Sequence, residues 1–176
     1  MNDADVLNLA TLALRVILGA MLFAHGWRHL KALRSGPGMA NWFESLGVKP
    51  GPINALLVTV TELAIGPMLV VGLLTPLAYA GLASILLVAL MTNHRKNGFF
   101  INSPGEGWEY VGITAGVAIF LGAFGPGKWS LDHALDLRFP FQPGNALLIS
   151  AVVAIGGTAL FLAAFWRPKS VAKSAK

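Results

Sequence analysis

The chain has no cysteine among its 176 residues, and only 12% of its residues are charged. The lack of cysteine excludes disulfides, thiolate catalysis and cysteine-ligated zinc or iron–sulfur centres. The low charge content argues against an ordinary soluble domain, in which about 25% of residues are charged. What the chain has in quantity is apolar residues, at 55% of the total. This composition indicates an integral membrane protein.

The apolar residues form five blocks, each near the ~20 residues that a helix needs to cross a bilayer. The blocks cover residues 6–27, 53–73, 77–92, 108–124 and 146–166. The octet 39–46, MANWFESL, places its apolar residues at helical spacing and predicts a short amphipathic helix in the membrane interface. We therefore expect an all-α membrane protein with five spans.

The placement of basic residues predicts the orientation of these spans. With five spans, the segments after helix 1, between helices 3 and 4, and after helix 5 share one side, and they hold most of the lysines and arginines. The positive-inside rule then places the N-terminus outside and the C-terminus in the cytoplasm of a bacterial-type inner membrane. The sequence pI of about 9.9 follows from this topology signal, so no nucleic-acid partner is expected. Contacts with lipid head groups are expected from Arg28, Lys31, Arg34, Arg95 and Lys96.

Two isolated charges, Arg15 and Glu62, lie within the first and second apolar blocks. A lone charge in the bilayer costs at least ~2.5 kcal/mol, so we expect the two to form a buried ion pair. At about 100° per residue, a stripe of small and polar residues on helix 1 includes Arg15 and Gly19, and a stripe on helix 2 includes Glu62 and Gly66. The two stripes are predicted to face each other. The ion pair would either fix the helix register or form a midplane site.

Candidates for a ligand or quinone site are His25, His29, Asn93, His94 and Glu109. Two histidines on separate helices could in principle hold haem or a metal. The sequence has no HExxH motif, however, and we expect neutral, hydrogen-bonded histidines instead. No intrinsic cofactor and no metal site are predicted, whereas a quinone or a bound lipid is a candidate ligand. Asp132 and Asp136 are interpreted as the solvated face of a short helix that Ser130 caps.

Several short motifs resemble one family of membrane proteins. Arg15 with the run 19–26, GAMLFAHG, is similar to the first helix of DoxX-like proteins. The runs 61–66, TELAIG, and 71–76, VGLLTP, are similar to their second helix, and 125–132, GPGKWSLD, to the end of their fourth. The resemblance, over about residues 8–136, implies a four-helix bundle in 1–136. Residues 137–176 would then add a fifth helix, suited to packing against a neighbour, and a basic tail. His29 stands where the family often has lysine.

The resemblance also implies a link to redox chemistry, since relatives include a quinone-linked subunit of thiosulfate oxidation. Our first hypothesis is an accessory membrane subunit of a redox assembly that anchors partners and shapes a quinone or lipid site. Its partners would be lipids and other membrane subunits or a peripheral redox enzyme. Catalysis by this chain alone is not expected. The alternatives are a small-molecule or lipid carrier with a midplane Arg–Glu site, and a quinone-reactive oxidoreductase subunit that uses His25 or His94 in proton transfer.

Overall fold

A computed structural model describes residues 2–137 and 143–168, with the side chains of 143 and 144 left out. All regular elements in this part of the chain are helical, which confirms the predicted all-α class. The helices are α1 (Asp3–Arg34), α2 (Gly38–Ser45), α3 (Gly51–Val71), α4 (Thr75–Ala89), α5 (Glu109–Leu121), α6 (Leu131–Ala134) and α7 (Pro143–Phe165). A π-helical turn (Leu90–His94) and a 3-10 turn (Arg95–Asn97) extend α4, and a 3-10 turn (Gly122–Phe124) extends α5.

Four of the described helices are long and apolar enough to cross a membrane: α1, α3, α4 with its extension, and α7. The membrane class is therefore confirmed. The fifth predicted span corresponds to Glu109–Phe124, which is apolar but shorter. Five spans and an external N-terminus remain predictions.

Hydrogen bonds at the helix ends show how the helices are arranged. The end of α7 reaches the loop between α2 and α3, where Lys49 N donates to Phe165 O (2.8 Å). At the opposite end, Lys128 N, just before α6, donates to Asn8 Oδ1 near the start of α1 (2.7 Å). Both contacts are those expected of a bundle in which successive apolar helices run in opposite directions. We give each end of the bundle a name. The α6 end holds α6 and the start of α1. The basic end holds Arg28, Lys31, Arg34, Arg95 and Lys96.

The core of the bundle lies around α4, which packs against α3, α5 and α7. The fully buried residues of this core include Tyr79 and Leu82 of α4, Leu69 of α3 and Ala115 of α5. The fifth apolar helix, predicted to pack against a neighbour, packs on α4 within the same chain. Ser84 Oγ of α4 and Thr158 Oγ1 of α7 are 3.3 Å apart. Most of the predicted basic tail, 169–176, lies outside the described residues.

Local signals explain most helix boundaries. Helix α1 continues to Arg34, beyond the apolar block 6–27 that predicted it, with an Asn2–Asp5 capping box at its start. Helix α3 ends at Val71 and is followed by Gly72, whose φ of 70° is a conformation that glycine adopts without strain. The predicted amphipathic helix is present as α2, which buries Met39 and Phe43 in a small core with Val48 and Ala55 and leaves Trp42 exposed.

Candidate functional site

The polar stripes of α1 and α3 face each other as the sequence predicted. On α1 the buried residues include Arg15, Gly19 and Gly26, and on α3 they include Glu62 and Gly66. A Cβ atom added to Gly19 would lie 2.6 Å from Gly66 O, and one added to Gly26 would lie 2.9 Å from Glu62 Cβ. Glycine thus allows the two backbones to approach closely, as in other membrane helix pairs.

The predicted ion pair between Arg15 and Glu62 is wrong, because the structure separates them along the helix axis. Arg15 Nη1 donates to Val70 O (3.2 Å) and Leu69 O (3.4 Å), and its Nη2 donates to Trp129 O (2.5 Å). Leu69 follows Glu62 by two turns of α3, which corresponds to about 10 Å of helical rise. The antiparallel register that brings Gly19 to Gly66 sets Arg15 beside the last turn of α3. The depth of each charge in its apolar block did not reveal this register.

Arg15 is fully buried in a cluster at the α6 end, which we name the α6-end cluster: Arg15, Gly72, Thr75, Trp129 and Asp132. Its guanidinium lies against the carbonyl end of α3, where the helix dipole favours a positive charge. The Asp132 carboxylate is near enough to interact electrostatically with this guanidinium. A Cβ atom at Gly72 would lie 2.1 Å from Arg15 Nη1, so no larger residue fits there without a shift.

Asp132 is not on a solvated face, contrary to the sequence interpretation. It is only 3% exposed, and its carboxylate accepts hydrogen bonds from Leu74 N (2.7 Å), Thr75 N (2.8 Å) and Thr75 Oγ1 (2.8 Å). A carboxylate at a helix N-terminus satisfies free backbone N–H groups and complements the dipole. Asp132 therefore caps α4 from 57 residues away in sequence. The predicted cap of α6 is confirmed, since Ser130 Oγ accepts from His133 N (3.1 Å).

Glu62 is paired with His29 instead of Arg15. His29 Nδ1 and Glu62 Oε2 lie 2.6 Å apart, with side-chain exposures of 24% and 5%. Apart from this contact, neither atom has a hydrogen-bond partner among the described residues, and the contact itself does not have hydrogen-bond angles. The pair is thus a close contact of an acid and a base, with hydrogen-bonding capacity left unused at both atoms.

The His29–Glu62 pair borders a cavity at the basic end, which we name the basic-end cavity. It has two adjoining parts of about 180 and 90 Å³. Both parts are lined by His29, Trp42, Glu62, Ile85, Ala89 and His94. The larger part adds Met21, Leu22, His25, Leu86, Glu106, Tyr110 and Val111, and the smaller part adds Phe43, Leu46, Val48, Val58, Val88, Thr92 and Asn93. Three histidines, two glutamates and a tyrosine thus converge on one space.

The structure brings together four of the five ligand-site candidates. His25, His29, Asn93 and His94 all line the basic-end cavity. Glu109 does not line it, and its Oε2 accepts a hydrogen bond from Ile101 N (3.1 Å) instead. Three histidines line the cavity, yet no three His, Cys, Asp or Glu side chains within 2–137 and 143–168 are arranged to hold a metal ion.

Sequence reasoning did not assign Glu106, Tyr110 or Trp42 to the site. Glu106 comes to the cavity because the loop before α5 folds back onto α4. There Glu106 O is 2.9 Å from His94 Nδ1 and accepts from Asn97 Nδ2 (3.1 Å). Tyr110 lies one residue after Glu109, so helical geometry alone points the two side chains in different directions. A residue-by-residue face assignment of α5 would have found it.

The five residues expected to contact lipid head groups are all exposed at the basic end. Lys31 Nζ lies 5.9 Å from the centre of the Trp27 ring, within the range of a cation–π contact. This placement is compatible with an interfacial position, and lipid contact itself stays a prediction.

A second space, an apolar groove of about 190 Å³, lies between α3, α4 and α7. It is lined by Leu57, Val58, Thr61, Gly81, Ser84, Ile85, Val88, Gly157 and Phe161. Val58, Ile85 and Val88 also line the basic-end cavity, so the groove and the cavity adjoin. An apolar space next to an ionisable one is a usual form of a ligand site.

These features define a helical membrane protein with an ionisable cavity at one end of its bundle. Residues 10–95 match the family model described as DoxX, which confirms the predicted resemblance over this part of the chain. The match includes the α1 and α3 stripes and α4. It ends before α5, so the similarity expected for 125–132 lies outside it and the division of the chain near residue 136 stays a prediction. No curated protein and no solved structure matches the chain.

Proposed function

We propose that this protein is an accessory membrane subunit of a redox assembly, and that its basic-end cavity binds the ring of a membrane quinone or quinol. The observation that carries this proposal is the convergence of His25, His29, His94, Glu62 and Glu106 on one cavity. Ionisable groups inside membrane proteins are costly and are generally functional. This cost is not offset here by complete pairing, since His29 and Glu62 keep unused hydrogen-bonding capacity.

The chemistry of the cavity suits a quinone ring. Two-electron reduction of a quinone takes up two protons, one at each carbonyl oxygen, and quinol oxidation releases them. Imidazole and carboxylate groups serve as general acids and bases in proton transfer, and His29 and Glu62 supply one of each at 2.6 Å. The two electrons would pass to or from a partner oxidoreductase, since the chain has no cysteine with which to relay them.

The charge of the cavity favours a neutral head group over a phosphate. None of the described residues that line the cavity is a lysine or arginine, whereas two of them, Glu62 and Glu106, are glutamates. Phosphate groups are bound by arginine, lysine or helix N-termini, and nearby carboxylates repel them. Its size also fits a ring, because about 180 Å³ is below the ~300–1,000 Å³ of sites for drug-sized ligands.

The carrier alternative loses its proposed site. It relied on Arg15 and Glu62 forming one polar centre near the midplane, and Arg15 instead belongs to the α6-end cluster. The alternative of a quinone-reactive oxidoreductase subunit uses the same cavity as our proposal and differs in making this chain, through His25 or His94, part of the catalytic machinery.

The proposal is tested by equilibrium binding of 2,3-dimethoxy-5-methyl-1,4-benzoquinone, a ring without a tail, to the full chain in phosphatidylcholine nanodiscs. We expect saturable binding that Glu62→Gln or His29→Gln weakens at least ~10-fold, a loss of about 1.4 kcal/mol. Glu109→Gln is the matched control, since Glu109 lies at the same end but outside the cavity. Absence of saturable binding, or equal weakening by Glu109→Gln, would refute the quinone site.

The accessory role needs its own test. Purification of a tagged chain from native membranes in mild detergent is expected to recover an oxidoreductase together with it. Recovery of the chain as a monomer without any oxidoreductase would contradict the accessory role and leave the quinone site to be judged by binding alone.

A further inference from the structure

Building on the proposed function, we infer that the apolar groove between α3, α4 and α7 holds the isoprenoid tail of the quinone whose ring lies in the basic-end cavity. The ligand then enters sideways from the bilayer, past α7. Helix α7 lies outside the region 10–95 that matches the family model. The wall that α7 contributes to the groove is therefore formed by residues outside the matched region.

The continuity of the two spaces is the first argument. Val58 on α3 and Ile85 and Val88 on α4 line both the groove and the cavity. A chain attached to a ring in the cavity would run past these three side chains directly into the groove. His29 and Glu62 line the same part of the cavity as these three side chains and would be within reach of the ring.

The second argument is the way in which small residues keep the groove open. Gly81 and Ser84 of α4 and Gly157 of α7 line it, and a Cβ atom at Gly157 would lie 3.3 Å from Ser84 Oγ. Ser84 also bonds Thr158, which fixes α7 beside the groove. Leu57 borders the groove and is 43% exposed, so the groove opens on the outer surface of the bundle.

The choice of occupant follows from charge and shape. A phospholipid would bring a phosphate and two chains to one groove that leads to two glutamates and no lysine or arginine in the described lining. A quinone has one chain and a neutral ring. Because the bilayer is as apolar as the groove, the tail gains little from the hydrophobic effect. The groove therefore acts by orienting the ligand and admitting it, and blocking the groove should exclude tailed ligands by occlusion.

The test compares two ligands and matched tryptophan variants in phosphatidylcholine nanodiscs. The ligands are the ring without a tail and the same ring with a decyl chain. Thr61→Trp and Leu57→Trp fill the groove, and Val60→Trp is the control because Val60 is 56% exposed and does not line it. Two groove variants are used so that one remains if the other does not fold, as judged by gel filtration and melting temperature.

We expect the groove variants to bind the decyl compound at least ~10-fold more weakly and the tailless ring within about twofold of the unaltered chain, with Val60→Trp unchanged for both. Unchanged decyl binding in the groove variants, or equal weakening of both ligands, would overturn the inference. Displacement of the decyl compound by phosphatidylglycerol, lost in the groove variants, would also overturn it in favour of a phospholipid. If instead the tailless ring does not bind the unaltered chain, the proposed function fails.

Discussion

The buried charges at the two ends of the bundle have different surroundings. At the α6 end, Arg15 is fully buried, donates to three backbone carbonyls and lies near Asp132, which itself accepts three hydrogen bonds. At the basic end, Glu62 forms an acid–base contact with His29, and that pair borders a cavity. A charge that backbone groups surround stabilises a fold. A charge that faces a cavity and has unused hydrogen-bonding capacity is available to a ligand. The first end therefore has a structural role, and ligand binding is proposed for the second.

The largest expected effect is that of Arg15→Ala on stability. The substitution removes the donor to three backbone carbonyls and the positive charge beside the buried Asp132 carboxylate, and breaking such an arrangement costs about 3–5 kcal/mol. The measurement is SDS-induced unfolding in mixed micelles, followed by circular dichroism. Arg28→Ala is the control, since Arg28 is exposed, and it should change the free energy of unfolding by less than about 0.5 kcal/mol. Equal effects of the two substitutions would remove the structural role assigned to the α6 end.

Asp132→Asn should destabilise the chain by about 1.5–3 kcal/mol, the usual contribution of hydrogen bonds to a charged group. An amide keeps the size of the side chain but loses the charge and one acceptor oxygen. Asp3→Asn, at the exposed start of α1, is the matched control and should have little effect on the same unfolding curve. If the two variants unfold alike, the cap on α4 does not contribute to stability.

Gly72→Ala, made in the unaltered chain and in an Arg15→Ala background, separates backbone strain from the contact with Arg15. Gly72 has a φ of 70° and a ψ of 53°, so the substitution costs roughly 1–2 kcal/mol for the left-handed backbone in either background. Only in the unaltered chain would the new Cβ meet the Arg15 guanidinium. We expect Gly72→Ala to be more destabilising in the unaltered chain by at least ~1 kcal/mol in the same assay. An equal loss in both backgrounds would show that Arg15 moves aside at no cost.

The smallest expected effect is the coupling energy between His29 and Glu62. A double-mutant cycle with His29→Gln and Glu62→Gln should give a coupling of about 0.5–1 kcal/mol, since the pair is close but partly exposed. The comparison cycle uses Arg15→Gln with Glu62→Gln, and these should add within about 0.5 kcal/mol because the two sites share no contact. Coupling in the second cycle and none in the first would restore the ion pair that the sequence predicted.

The residues of the helix interface were predictable, and their register was not. Helical periodicity correctly grouped Arg15 with Gly19, and Glu62 with Gly66, because each stripe depends only on the geometry of its own helix. The pairing between stripes depends on where two helices meet along their length. The preference of glycine for close backbone contact set that position, and it moved Arg15 away from Glu62.

The contribution of distant loops was also outside the reach of the sequence. Asp132 was interpreted as solvated because its helix is short and polar, whereas it lies against α4 as a cap. Glu106 reaches His94 only because the loop before α5 folds back over the end of α4. Both contacts depend on backbone groups, Leu74 N and Thr75 N in the first and Glu106 O in the second, and such groups leave no side-chain pattern in the sequence to detect.

The sequence by itself determined the membrane class, the helices and the face that each of the first two buries, because hydrophobicity and helical period are local properties. Its basic residues also indicated the end at which four of the five ligand-site candidates lie. Only the tertiary structure decided that the acid pairs with a histidine, that the arginine is held by backbone carbonyls, and that α7 encloses a groove beside the cavity. These outcomes depend on how separate helices and loops meet in space, which the free energy of packing the whole chain determines.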